Sequence, residues 1–276
     1  MVVLTIIGFI LLGAVIGTFG TLVGAGGGFL LTPALLLLFP QMPAETVTAI
    51  SMTTVMFNSV SGSAAYAHMR RIDYKTGLIF AAATLPGTII GTWLTSKAPR
   101  SLFDIIFGAF MLVFAVVILL KSRIGDHSAH HDKPGRFRVR RKLIDREGGQ
   151  TAFSFNLLIG MGISLCVGFL SGFLGIGGGI VHVPALIFLG FPAHFATATS
   201  HFVLACSSIS SFIVHLTSGA LSHDYVMAFS IAGGAVAGAQ IGARISTKVK
   251  GSHIMIFLAC ALILAGVRIL LSGIFT

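Results

Sequence analysis

Two glycine-rich blocks of the same pattern have residues suited to binding an anion through backbone N–H groups. They are Gly24–Gly28, followed by Pro33, and Gly175–Gly179, followed by Pro184. Glycine permits backbone conformations that a Cβ forbids. A helix that starts after such a break presents free N–H groups and the positive end of its dipole. The glycines predicted to bind substrate are the last three of each block: Gly26, Gly27, Gly28, Gly177, Gly178 and Gly179.

Polar side chains follow both blocks and are candidates to add hydrogen-bond donors. The long segment after each block is rich in Ser and Thr, and no apolar span carries an Asp or Glu near its middle. A cation pathway normally needs such a carboxylate, so small anions are favoured. Scattered Ser residues also serve merely to pack membrane helices. The predicted side-chain donors are Thr32, Ser51, Thr54, Asn58, Ser200 and Ser207.

Two histidines in apolar surroundings, His182 and His201, are predicted to contact substrate or to carry protons. A membrane histidine that is only packed and hydrogen-bonded is the alternative for each. Proton-coupled transport and facilitated transport therefore both remain open.

Other chemistries fit the sequence less well. No Gly-Lys-Ser/Thr follows either glycine block, which disfavours a nucleotide site. Gly168–Gly172 matches the Gly-x-Ser-x-Gly pattern of serine hydrolases, but the first copy has Gly20 where Ser171 stands. His127, His130, His131 and Asp132 form a cluster that we interpret as a solvated loop rather than a metal site. No cofactor, metal or nucleic acid is predicted.

The composition indicates that membrane-spanning helices hold these residues in position. The chain has 276 residues, of which 55% are hydrophobic and 9% charged, and its mean hydropathy is +0.97. Soluble domains carry about 25% charged residues, so much of this surface must face lipid. The sequence predicts an all-α, multi-pass protein of the cell (inner) membrane, with Met1–Val23 as a retained helix. A span is also predicted at Phe153–Leu174.

The chain is an internal duplication. Nine of the 22 residues in Gly17–Leu38 are identical to those in Gly168–Leu189. The predicted domains are a first membrane repeat (1–120), a basic cytoplasmic linker (121–150) and a second membrane repeat (151–276). Each repeat has a glycine-broken helix near its start, the pattern of many transporters.

The distribution of Lys and Arg indicates how the repeats are oriented. With four crossings per repeat, 13 of the 18 basic residues lie on the linker side and 5 on the other side. With five membrane segments per repeat, the counts are 15 and 3, because the loop containing Arg244, Lys248 and Lys250 changes side. Cytoplasmic loops concentrate basic residues, so two inverted repeats of about five segments are favoured.

The duplicated Gly-x-Gly-Gly-Gly-x4-Pro frame, followed by a Ser/Thr-rich span, resembles the TauE/SafE sulfite exporter family, also called the 4-toluene sulfonate uptake permeases (TSUP). The resemblance covers Gly17–Gly91 and Gly168–Gly242. It implies an inner-membrane carrier of sulfite or organosulfur anions such as sulfonates, with both glycine blocks as signatures. His182 stands where the first copy has Leu31, so the two half-sites are unequal.

The resulting hypothesis is a secondary transporter of small anions, without enzymatic activity, that works by alternating access between two repeats. Export is the expectation from the family resemblance. The expected partners are a small anion of the sulfite or sulfonate class and the lipid bilayer; the oligomeric state is left open. The rival hypotheses are an intramembrane serine protease and a membrane assembly protein that does not transport.

Overall fold

The computed structural model describes residues 2–123, 137–144, 150–222, 224–246 and 252–275, and most of these residues are helical. The helices of the first half are α1 (Val2–Val23), α2 (Gly28–Leu38), α3 (Ala44–His68), α4 (Tyr74–Thr95) and α5 (Arg100–Arg123). Their counterparts in the second half are α6 (Leu157–Leu174), α7 (Gly179–Phe188), α8 (Ala193–Thr217), α9 (Tyr225–Ile245) and α10 (Ser252–Phe275).

Six of the described helices, α1, α4, α5, α6, α8 and α9, are long and apolar enough to cross a membrane. This confirms the predicted all-α membrane protein. Helices α2 and α7 have only 11 and 10 residues. At about 1.5 Å per residue, each reaches roughly halfway through a hydrocarbon core of about 30 Å. Both are therefore half-length helices, as the glycine breaks predict.

The closest helix pairs join one half of the chain to the other. Helix α1 packs on α9, and α4 packs on α6. A Cβ added to Gly13 would lie 1.9 Å from the Ile231 carbonyl oxygen, and one on Gly17 would lie 2.6 Å from that of Ala235. The backbones of α1 and α9 thus touch and run in the same direction, which requires residues without a Cβ at the contact. The two halves are interlocked.

Helices α5 and α10, which occupy matching places in the two halves, pack on each other in opposite directions. A Cβ added to Gly108 would lie 2.8 Å from the Gly266 carbonyl oxygen, and one on Gly273 would lie 2.9 Å from that of Ser101. The start of α5 therefore meets the end of α10.

Helices α3 and α8, also counterparts, are likewise antiparallel. The Ser218 hydroxyl at the end of α8 donates to Glu45 Oε1 at the start of α3 over 2.7 Å. Near their middles, the Ser59 and Ser208 hydroxyls lie 3.4 Å apart. These contacts define two opposite faces. The terminus face has the starts of α1, α3, α5 and α9 and the end of α10. The hairpin face has the starts of α4, α6 and α8.

A two-stranded hairpin, which the sequence analysis did not predict, lies on the hairpin face and gives it its name. Strand β1 (Arg138–Ile144) pairs antiparallel with β2 (Gln150–Asn156). The predicted span Phe153–Leu174 is therefore wrong at its start, because Phe153–Asn156 belong to β2 and α6 begins at Leu157. The Asn156 side chain explains the boundary, since its Oδ1 caps α6 by accepting from two backbone N–H groups.

The hairpin is fastened to the helices by an ion pair and by aromatic packing. Arg141 Nε lies 3.2 Å from Oδ2 of the buried Asp73, at the start of α4. The Phe153 and Phe155 rings lie 4.6 and 4.7 Å from the Phe191 ring, just before α8. The hairpin therefore covers the region between the end of α7 and the starts of α4 and α8.

The backbone contact between α4 and α6 predicts a position-specific effect of adding one methyl group. A Cβ on Gly168 would lie 2.3 Å from the Thr84 carbonyl oxygen, whereas one on Gly162, in the same helix, would have nothing within 4 Å. We expect Gly168→Ala to destabilise the protein by about 1–3 kcal/mol through overpacking. Gly162→Ala should be neutral or slightly stabilising. Thermal unfolding in detergent measures both, and equal melting temperatures would contradict the contact.

Candidate functional site

The two glycine loops meet, and we call this meeting the glycine crossing: residues 24–28 and 175–179. Gly24, Gly26 and Gly27 have φ angles of 80°, 74° and 88°, and the corresponding glycines of the second loop have 68°, 79° and 69°. These left-handed conformations suit glycine because they crowd a Cβ. The same unusual backbone is thus built twice.

Each half-helix starts against the other loop. A Cβ on Gly28 would lie 2.7 Å from the Gly175 carbonyl oxygen, and one on Gly179 would lie 2.3 Å from that of Gly24. The Thr32 hydroxyl donates to the Gly175 carbonyl over 2.9 Å. The predicted residue Thr32 therefore lies at the crossing, where it ties one half of the chain to the other.

The crossing lies at the middle of the long helices α3 and α8. Added Cβ atoms on Gly26, Gly28 and Gly177 would contact Val55, and those on Gly26 and Gly179 would contact Leu204. Val55 lies within one residue of the midpoint of α3, and Leu204 within one residue of the midpoint of α8. If these helices cross the bilayer, the crossing lies deep within it.

Several N–H groups at the crossing have no acceptor. Among the described residues, no oxygen accepts from the N–H of Gly27, Gly28 or Phe29 in the first half, or of Gly178 or Ile180 in the second. An unsatisfied N–H buried away from water costs free energy, so such groups call for a ligand or water. Both half-helices also direct the positive ends of their dipoles here. The crossing is electropositive without a basic side chain.

One face of α3 beside the crossing carries free polar groups. Ser51, Val55, Asn58 and Gly62 recur at helical spacing, so they share a face. The Ser51 hydroxyl and the Asn58 Nδ2 are buried and have no hydrogen-bond partner among the described residues. The Asn58 Oδ1 accepts from the hydroxyl of Thr21. Two of the predicted donors are therefore available to a ligand.

The His201 side chain lies against the same face. It is fully buried, and neither ring nitrogen has a hydrogen-bond partner among the described residues. A Cβ on Gly62 would lie 2.6 Å from this ring, and the Tyr66 ring meets it edge-on with centroids 5.6 Å apart. The Gly24 backbone is close to the ring without the geometry of a hydrogen bond. The His201 ring therefore lies between the α3 face with the free Ser51 and Asn58 donors and the first glycine loop.

Two other predicted donors are already engaged within their own helices. The Thr54 hydroxyl donates to the Ile50 carbonyl over 3.0 Å, and the Ser207 hydroxyl donates to the Leu204 carbonyl over 3.2 Å. Their single protons are used, although their oxygens remain acceptors. These residues are buried near the crossing but are weaker candidates for binding an anion.

His182 lies in a complete hydrogen-bond chain. The Ser164 hydroxyl donates its proton to the Gly160 carbonyl. The His182 Nε2 lies 3.1 Å from Ser164 Oγ, so Nε2 must carry a proton and donate it to that hydroxyl oxygen. Nδ1 then accepts from Ser200 Oγ, 3.3 Å away. This tautomer follows from the network. The predicted residues His182 and Ser200 therefore satisfy each other, unlike His201.

A narrow apolar cleft reaches the crossing from α5 and α10. It has a volume of about 10 Å³. Phe29 and Ile180, the second residues of the two half-helices, line one side, and Phe107 and Phe114 of α5 lie opposite. That volume holds about one water molecule. At this cleft the protein is closed to a polyatomic ion.

The alternative chemistries gain no support from the described residues. Ser171 lies inside α6 rather than on a strand-to-helix turn, and an added Cβ on Gly168 or Gly172 would meet the α4 backbone. The Gly-x-Ser-x-Gly pattern is thus explained by helix packing. Within the described part of the chain, no group of His, Cys, Asp or Glu is placed to hold a metal. His127, His130, His131 and Asp132 lie outside it.

Sequence reasoning missed three residues that shape this region. Thr21 donates to Asn58, Tyr66 donates to the Thr21 carbonyl over 2.9 Å, and Ser164 holds His182. Thr21 and Ser164 lie in helices that precede the loops, where they resemble packing residues. Tyr66 is one of three tyrosines in the chain, and its rarity was the available signal.

The half-helices, the buried polar crossing and the six long apolar helices define a multi-pass membrane protein of the transporter class. The family described as "Sulfite exporter TauE/SafE" matches residues 9–269. The chain therefore belongs to the TauE/SafE family, whose members are named as transporters rather than enzymes.

Two relatives match along nearly their whole length. "Probable membrane transporter protein YunE" of Bacillus subtilis (strain 168) is 32% identical over 97% of this chain and 98% of its own length. "Probable membrane transporter protein MJ0441" of Methanocaldococcus jannaschii is 28% identical over 95% of this chain and 94% of its own. No solved structure matches the chain. The protein is a membrane transporter by family and by relatives.

The bond from Thr32 to the Gly175 carbonyl predicts a measurable link between the halves. Thr32→Val keeps the shape but removes the donor, so we expect a loss of about 1 kcal/mol of stability or somewhat more, because a buried carbonyl loses its partner. Thr32→Ser keeps the hydroxyl and should lie closer to the wild type. Thermal unfolding in detergent compares the three proteins. A Val variant as stable as the Ser variant would argue against the bond.

Proposed function

We propose that this TauE/SafE family member transports a small anion, sulfite or an organosulfur anion such as a sulfonate, and that the anion binds at the glycine crossing. The observation that carries the proposal is the pair of half-helices whose free N–H groups meet midway along α3 and α8. Helix N-termini with free N–H groups bind anions. The family description, which names a sulfite exporter, supports the substrate class and outward transport.

The placement of acidic residues supports an anion over a cation. Asp73 and Asp104 are buried, but each lies at the start of a helix and is paired with an arginine, Arg141 and Arg100 respectively. No described residue near the crossing is acidic. A buried cation would lack the carboxylate that such sites normally use.

The site proposed here is centred on the first half of the chain. Backbone N–H groups of Gly27, Gly28 and Phe29 supply one wall, and the free donors of Ser51 and Asn58 supply another. His201 adds a ring that either donates to the anion or carries a proton with it, since both its nitrogens lack partners. His182 and Ser200 complete the supporting chain on the other side.

We also propose that the two repeats are inverted in the membrane. Counterpart helices α3 and α8 run in opposite directions, as do α5 and α10. A twofold axis along the membrane normal would make counterpart helices parallel, whereas an axis in the membrane plane makes them antiparallel. The distribution of Lys and Arg supports the same arrangement, with the hairpin face in the cytoplasm.

Alternating access in this protein needs a motion that keeps the backbone contacts between the two halves. The α1–α9 and α4–α6 contacts are between backbones and join one repeat to the other. Sliding one sequence repeat as a unit past the other would break both contacts. Helices α5 and α10 pack mainly on each other, and the cleft beside Phe29 and Ile180 separates them from the half-helices. Movement of this pair away from the crossing would widen the cleft.

A binding assay on matched variants of α3 tests the proposed site. Asn58→Leu removes a free buried donor, so we expect the affinity for sulfite or a sulfonate to fall about tenfold or more, the worth of one hydrogen bond to a charged group. Thr53→Val is the control, because the Thr53 hydroxyl is buried but already donates to the Ala49 carbonyl. Titration of purified protein with sulfite, a sulfonate, sulfate, a carboxylate and sodium gives the ranking.

Tightest binding to the cation would overturn the anion site. Equal affinities of the Asn58→Leu and Thr53→Val variants would move the site away from α3. To test coupling, a sulfonate is the probe of choice because it stays ionised near neutral pH. A pH gradient across liposomes should drive its uptake by the wild type but not by His201→Gln. Uptake driven equally in both would assign the coupling elsewhere.

The ion pair between Arg141 and Asp73 is proposed to hold the hairpin over the cytoplasmic side. Arg141→Gln leaves the buried Asp73 carboxylate without its charged partner. We expect faster hydrogen exchange in Gln150–Asn156 and an altered transport rate. Lys142→Gln, which removes the exposed charge next along β1, should change neither. Identical exchange in the two variants would show that the ion pair does not hold the hairpin.

A further inference from the structure

A groove on the terminus face lies apart from the glycine crossing. It has a volume of about 80 Å³ and is formed where the end of α2 meets the start of α5 and the last turns of α10. Leu36, Leu37 and Ile269 contribute apolar walls, and Arg100 and Arg268 contribute guanidinium groups. The groove therefore combines a hydrocarbon-like wall with positive charge.

Arg100 is fully engaged within the protein. Its Nε lies 2.8 and 2.9 Å from the two carboxylate oxygens of Asp104. Its other nitrogens donate to the carbonyl of Leu36, in the last turn of α2, and to the carbonyl of Met42, just after α2. The Arg100 and Asp104 charges cancel, and Arg100 serves to close the end of the half-helix.

Arg268 is the surplus charge. Among the described residues, no acceptor or carboxylate pairs with its guanidinium. It lies on an exposed stripe of α10 with Leu264, Val267 and Leu271, which are 75%, 42% and 47% exposed. An arginine among lipid-facing apolar residues is costly and rare, so it calls for a partner. The charge in the groove is a net positive one.

The position of Arg268 along α10 is that of a lipid headgroup contact. The helix ends at Phe275, seven residues further on, which is about 10 Å along the axis. An arginine side chain spans most of that distance and directs its head toward the membrane surface. The groove is also open to lipid, since Arg268, which lines it, is exposed, and Leu38 beside it at the end of α2 is 64% exposed.

We propose that this groove binds an anionic phospholipid, with the lipid phosphate on Arg268 and the acyl chains along Leu37 and the exposed Leu38 and Leu271. A guanidinium pairs well with a phosphate. The apolar walls favour a lipid over a free anion, which would gain nothing from them. The bound lipid would stand against the ends of α2 and α10, and so beside the helix pair that flanks the cleft at the crossing. The site is independent of the transported substrate.

Lipid retention by the purified full-length protein tests the proposal. Native mass spectrometry during titration with phosphatidylglycerol gives the affinity for wild type, Arg268→Gln, Arg268→Lys and Lys97→Gln. We expect Arg268→Gln to weaken binding about fivefold, the effect of one basic residue near an anionic surface. Arg268→Lys should keep most of the affinity. Lys97→Gln removes a charge from the same face outside the groove and should have no effect.

Two outcomes would overturn the site. Equal losses in Arg268→Gln and Lys97→Gln, or no loss in either, would show that the lipid is held by diffuse charge. Competition of phosphatidylglycerol by inorganic phosphate or glycerol phosphate as strong as that by the intact lipid would show a free-anion site instead. Phosphatidylcholine, whose choline cation offsets the charge of its phosphate, should bind the wild type more weakly than phosphatidylglycerol does, and equal affinities would also overturn the anionic-lipid site. Size-exclusion profiles and melting temperatures identify a variant that has not folded. If Arg268→Gln is such a variant, the competition experiments on the wild-type protein carry the comparison.

Discussion

Backbone hydrogen bonding is the constraint on which this fold depends. A helix that breaks within the hydrocarbon leaves polar groups that lipid cannot satisfy. Here two breaks are placed against each other, and Thr32 satisfies the Gly175 carbonyl across the contact. The carbonyl groups are partly covered in this way, whereas several N–H groups are left free. The excess of donors gives the crossing a positive potential before any side chain contributes.

The glycines do more than permit the breaks. Along α1, α4, α6 and α9 they bring helices from different halves into backbone contact, as at Gly17 against Ala235 and Gly91 against Phe169. These contacts make the sequence repeats poor moving bodies, because each repeat is fastened to the other. In the proposed alternating-access cycle, the moving units would be sets of helices drawn from both halves, and α5 with α10 is the set that packs least on the rest. The duplication in sequence and the division into moving parts need not coincide.

The sequence predicted the two half-helices, which the internal repeat indicates, but not the hairpin, whose strands are too short for a clear periodicity. The matched glycine blocks indicated two half-helices, since unrelated apolar segments would not align Gly, Gly, Gly and Pro at one spacing. The hairpin was missed because Phe153 and Phe155 alternate over too few residues to separate a strand from the start of an apolar span. The sequence also could not predict that the Ser51 hydroxyl lacks a hydrogen-bond partner whereas the Thr54 hydroxyl has one. It depends on whether a hydroxyl donates to the carbonyl one turn back.

The inequality of the two halves follows from two exchanges of residues. In the second half, His182 fills the space between Ser164 and Ser200 and satisfies both. In the first half, Leu31 occupies the matching place, Gly13 replaces Ser164, and Ser51, the counterpart of Ser200, is left without a partner. Polar groups are therefore closed into a hydrogen-bonded chain around His182 and left open around Ser51, where the Asn58 Nδ2 and the His201 ring from α8 also lack partners. Two halves that arose by duplication can in this way diverge, so that one keeps free polar groups while the other uses its polar groups to hold the structure in place.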